Sequence, residues 1–142
     1  MFRRFNPMMV ALLLLLAVVL AGCDAANAPT AAGAKAAVCQ GITAVQAAVG
    51  TLASVDANTR VSEVQGAKQK LDTAVEALRR ANEVLKNENV TQIITSYESL
   101  SQSISQVANQ ETLGAAAGAV QGASASVIGA LNQASSALQC RQ

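Results

Sequence analysis

From Lys35 onward, apolar residues recur three and four positions apart, the spacing that lines up side chains on one face of a helix. Four such runs follow one another. The first is Val38, Ile42, Val45, Val49, Leu52, and the second is Val64, Ala67, Leu71, Ala74, Leu78, Ala81, Leu85. The third is Val90, Ile93, Tyr97, Leu100, Ile104, Val107, and the fourth is Leu113, Ala117, Val120, Ser124, Val127, Leu131, Ala134, Leu138. Strand-like alternation is nearly absent, no Pro occurs beyond Pro29, and Ala, Gln, Leu and Lys are frequent, so the pattern predicts helix throughout.

Polar clusters mark the breaks: Asp56-Ala57-Asn58-Thr59, then Asn87-Glu88-Asn89, then Asn109-Gln110-Glu111-Thr112. Ser62 with Gln65, and Asn89 with Gln92, have the form of capping boxes, in which each side chain satisfies an otherwise unpaired amide. The central break is the firmest. At the outer two the seam slips register without Gly or Pro, which also suits a stutter in a continuous helix. The fold class is therefore all-α, as an up-and-down four-helix bundle or, alternatively, one long two-helix antiparallel coiled-coil hairpin.

Ahead of the helical runs, Arg3 and Arg4 precede an unbroken apolar stretch from Val10 to Leu20. A bilayer span takes about 20 residues, so this shorter run fits the core of a secretory signal instead. The next four residues, Leu20-Ala21-Gly22-Cys23, resemble the lipobox of bacterial lipoproteins. That resemblance implies a diacylglyceryl group on the Cys23 thiol, cleavage between Gly22 and Cys23, and acylation, commonly by palmitate, of the new N-terminus. It also implies a membrane anchor facing the periplasm or the cell exterior. Asp24 resembles the sorting residue that retains enterobacterial lipoproteins in the inner membrane. The expected organisation is a cleaved signal over 1–22, a lipidated Cys and flexible tether over 23–34, rich in small residues with Pro29 and Gly33, and a helical domain over 35–142.

Composition narrows the chemistry. The 142 residues contain no His and no Trp, and beyond Phe5 the sole aromatic is Tyr97. Hydrolytic triads, zinc shells and di-iron bundles usually need imidazole, and base stacking needs several aromatics. Loss of Arg3 and Arg4 with the signal leaves 8 basic and 9 acidic residues, a net charge of −1, which gives no electrostatic case for nucleic acid. No catalytic residues, metal or cofactor are expected, and the seams hold no converging nucleophiles or titratable groups.

With Cys23 lipidated, Cys39 and Cys140 remain as an even pair in an exported chain, which predicts a disulfide. One begins the first helical run and the other ends the last. In an up-and-down arrangement those ends meet only if the number of helices is even, so the pair disfavours three helices.

Charges concentrate between Asp56 and Glu98, and Lys68 with Asp72, Glu76 with Arg80, and Arg79 with Glu83 stand four apart, as on a solvated helix face. Tyr97 is expected in the core with its hydroxyl at the edge. From Thr112 to Cys140 there is no charge, while Gly114, Gly118, Gly122 and Gly129 recur off the apolar seam. Each Gly inside a helix costs about 1 kcal/mol relative to Ala, so this small-residue face is a candidate docking surface for an envelope protein, a second copy or simply a neighbouring helix. The expected function is that of a lipid-anchored, non-catalytic interaction module of the cell envelope. Two alternatives stand beside it: a membrane-active or oligomerising protein using the Gly-rich run, and a bundle that binds a small apolar ligand.

Overall fold

The computed structural model describes residues 30–140. The signal expected over 1–22, its cleavage position at Gly22 and Cys23, and Asp24 lie outside the described residues. Four α-helices run up and down: α1 (Ala31–Ala53), α2 (Val61–Leu85), α3 (Glu88–Ser105) and α4 (Ala117–Leu138), the last entered through a 3-10 turn at Gly114–Ala116. Each helix packs against its sequence neighbour, and α4 closes the ring onto α1. The chain is a four-helix bundle, and all three polar clusters are true turns, which removes the two-helix hairpin.

Helix α1 begins four residues ahead of the expected boundary at Lys35. Thr30 sets the start, because its hydroxyl accepts from the Gly33 amide at 3.1 Å and so caps the first turn. The Ala-rich sequence that follows sustains helix despite Gly33, so residues 31–34, expected in the tether, belong to α1. Cys39 consequently sits in the third turn of α1 rather than at its beginning.

The other caps also differ from the expected boxes. Helix α2 starts after Arg60 with no side-chain cap, so Ser62 lies inside the helix. At α3 the cap is Asn87, whose side chain accepts from the amides of Asn89 and Val90. The α2–α3 turn is correspondingly tight. Lys86 adopts a left-handed conformation (φ 49°) and donates its amide to the Asn82 carbonyl at 2.7 Å. Asn82, buried, clasps Asn87 from both sides: its Oδ1 accepts from the Asn87 amide and its Nδ2 donates to the Asn87 carbonyl. That pairing satisfies a polar side chain in the interior.

Inside the bundle the seams meet as the periodicity requires. Val38, Ile42, Val45, Val49 and Leu52 of α1 are all buried, as are Leu71 and Leu78 of α2, Ile93 and Leu100 of α3, and Val120, Val127 and Leu131 of α4. On α2, Val75 is buried where the pattern placed the half-buried Ala74. Gly41 is also buried, because a Cβ there would lie 3.0 Å from Leu78 Cδ1 and 3.4 Å from Leu78 Cα. Its missing side chain is what lets α1 and α2 approach so closely.

At the opposite end the two long loops are joined. Arg60 and Thr112 form an antiparallel bridge. Around it, the amides of Val61, Leu113 and Gly114 donate to the carbonyls of Glu111, Thr59 and Ala57 at 3.1, 3.0 and 2.9 Å. Gln121 of α4 adds a side-chain hydrogen bond to the Val55 carbonyl. These bonds satisfy backbone groups that loops otherwise leave to water.

Candidate functional site

The predicted cysteine pair comes together. Cys39 on α1 and Cys140 just beyond α4 form a disulfide with their Cα atoms 5.5 Å apart, across a sequence separation of 101. It fastens the C-terminal end of α4 to the third turn of α1. Beside it, Gln139 in a left-handed conformation ends the helix, with its amide and that of Cys140 turned back to the carbonyls of the last turn.

The four glycines of the candidate docking face divide into two kinds. Gly118, Gly122 and Gly129 lie in α4 and are exposed, and a Cβ at any of them would meet nothing within 4 Å. Gly114 precedes α4 at φ +52° in the 3-10 turn, where its freedom serves the joined loops. It is a turn residue, not part of a helical stripe. The remaining three share the outward surface of α4 with Gln121, Ala125, Asn132 and Ser136.

Charge is distributed unevenly around the ring. Helices α1 and α4, in contact with each other, carry Lys35 as their one formal charge, whereas α2 and α3 bear ten between Glu63 and Glu98, Lys86 in the turn excluded. Lys68 pairs with Asp72 at 2.9 Å and Arg80 with Glu76 at 3.1 Å, as spacing suggested. Arg79 instead crosses to Glu98 of α3 at 3.4 Å rather than pairing with Glu83. The Tyr97 ring is half-buried against the core, and its hydroxyl donates to the Asp72 carboxylate, so Asp72 links α2 to α3 while also holding Lys68.

Both α1 and the segment Gly114–Leu138 are long and apolar enough to cross a membrane by length and composition. Their Val, Ile and Leu side chains face the bundle core, and what they show outside is mainly Ala, Gly, Ser, Thr, Gln and Asn. Between α1 and α2 runs an apolar surface groove of about 720 Å³, walled by alanines of both helices and by Gly66. Sequence reasoning missed this groove, because the exposed Ala positions of α1 carry no charge or motif to single them out. No protein-family model, curated protein or solved structure matches the chain.

Proposed function

We propose that the chain is a lipid-anchored, non-catalytic interaction module of the bacterial envelope, tethered through Cys23 and presenting the outer face of α4 to a protein partner. The observation that carries this reading is the exposure of Gly118, Gly122 and Gly129. Nothing in the bundle occupies the space their missing side chains leave, so the fold itself does not require their smallness. A face of Gly, Ala and Ser permits another backbone to approach closely, and the lack of charge on α4 avoids the cost of burying an ion in the contact. The signal-like segment and Leu20-Ala21-Gly22-Cys23 support the anchor. A disulfide between Cys39 and Cys140 suits an oxidising compartment outside the cytoplasm.

Two measurements test the reading. Cells fed a labelled fatty acid are expected to label the chain, and Cys23→Ser is expected to abolish both the label and membrane fractionation. A photocrosslinking residue at Ala119 or Ala125, next to the glycines, is expected to capture one specific envelope protein, whereas the same probe on α3 captures none. Equal, diffuse capture from both faces would remove the docking role. Label that persists in Cys23→Ser would remove the anchor.

A further inference from the structure

The α1–α2 groove has alanines on both walls, with Ala47 and Ala48 of α1 facing Ala67 of α2 and Gly66 beside it. Gly66 has open space where a Cβ would be, so a second backbone can come close there. Two charged residues also line the groove, Glu63 and Lys70, both on α2 and both exposed. They stand seven residues apart, which is about two helical turns and about 10 Å along the same face. Every close ion pair among the described residues uses other groups, so neither Glu63 nor Lys70 has a salt-bridge partner in the bundle.

We propose that this groove seats the same groove of a second copy of the chain, with the two α2 helices antiparallel and crossing beside Gly66 and Ala67. A two-fold axis at that point brings Glu63 of each copy to Lys70 of the other, which is the self-complementarity an isologous contact demands. A parallel pairing would set Glu63 against Glu63 and Lys70 against Lys70, so charge selects the antiparallel arrangement. Small side chains on both walls let the helices approach without displacing the core, and α1 contributes no charge that would have to be buried. The proposal does not rest on the lipid anchor or on the α4 face.

The test uses the full chain in density-matched detergent, with Glu63→Lys, Lys70→Glu and the double exchange, followed by sedimentation. Both residues are exposed, so thermal unfolding is expected to be unchanged and to report any misfolded variant. Wild type is expected to show concentration-dependent dimers that weaken with salt. Each single variant, which turns two attractions into two repulsions, is expected to dimerise about tenfold or more weakly. An equimolar mixture of the two single variants is expected to restore the dimer, because one copy is then positive at both positions and the other negative at both. The double exchange is expected to restore it as well. A wild type that stays monomeric at millimolar concentration overturns the proposal, as does a dimer indifferent to both single variants. Failure of the mixture to recover association overturns the antiparallel register.

Discussion

Breaking the Cys39–Cys140 bond, by reduction or by the paired change Cys39→Ala with Cys140→Ala, is expected to lower the melting temperature by about 20 °C. The magnitude follows from the loop the bond closes. With the cysteines separated by 101 positions in the sequence, the chain-entropy relation gives about 16 cal/mol/K removed from the unfolded state, or about 4.7 kcal/mol at room temperature. Unfolding a domain of about 110 residues releases about 0.23 kcal/mol/K at the midpoint, and the ratio gives the shift. Both cysteines are only half-buried, so alanine leaves no large cavity and the folded state changes little. Thermal unfolding followed by far-ultraviolet circular dichroism, with intact mass after alkylation to confirm the thiol state, is the assay. The slope of denaturant unfolding should rise as well, because the uncrosslinked unfolded chain exposes more surface. A shift below about 5 °C would refute the loop argument, since it would mean that the unfolded chain already keeps these ends together or that the native bond costs nearly what it gains.

Other substitutions separate glycines the fold uses from those it does not. Gly122→Ala and Gly129→Ala are each expected to stabilise the bundle by up to about 1 kcal/mol in urea unfolding, because the new methyl meets nothing. Gly118→Ala, in the first turn of α4, should gain less. On the docking reading the same changes reduce partner capture, and unchanged capture would separate the glycines from docking. Gly41→Val is expected to destabilise by about 1–3 kcal/mol, because Leu78 already crowds that position. Gly114→Ala should cost about 1–2 kcal/mol through its positive φ. Asn82→Ala removes both hydrogen bonds to Asn87 and leaves the Asn87 amide without its partner, while the Asn87 carbonyl keeps the Thr91 amide, for an expected loss of about 1–3 kcal/mol by the same unfolding measurement.

Four helices were legible because a buried seam repeats at three and four residues, and on α1 every position of the run proved to be interior. The bond between the chain's two cysteine-bearing ends was legible for a related reason, since an even helix count returns the last end to the first. Caps and turns were less so. Asn87 and Asn89 both look like caps, and only the clasp by Asn82, five residues upstream, decides that Asn87 takes the position and that helix resumes at Glu88. Arg79 offers a partner four residues on, but crosses to Glu98 once α3 lies beside it. Gly114 kept the helical spacing of Gly118 and Gly122 while belonging to a different structure. Its φ answers to the hydrogen bond from its amide to Ala57, and a periodicity argument does not see that contact.

The same long-range bonds explain how α4 exists at all. It has no side-chain N-cap, no charged residue to complement its dipole, and Gly122 and Gly129 in its interior, a combination that would leave an isolated peptide largely unfolded. Its stability comes from outside. Val120, Val127 and Leu131 are buried against the other helices, the joined loops and Gln121 fix its beginning, and the disulfide fixes its end. A helix held along its inner face and at both ends does not depend on its outer face for folding. The positions of Gly118, Gly122, Ala125 and Gly129 are therefore those whose composition the fold constrains least. The glycines there forgo helix stability that alanine would supply, and a contact made by that face is the physical use that would offset the loss.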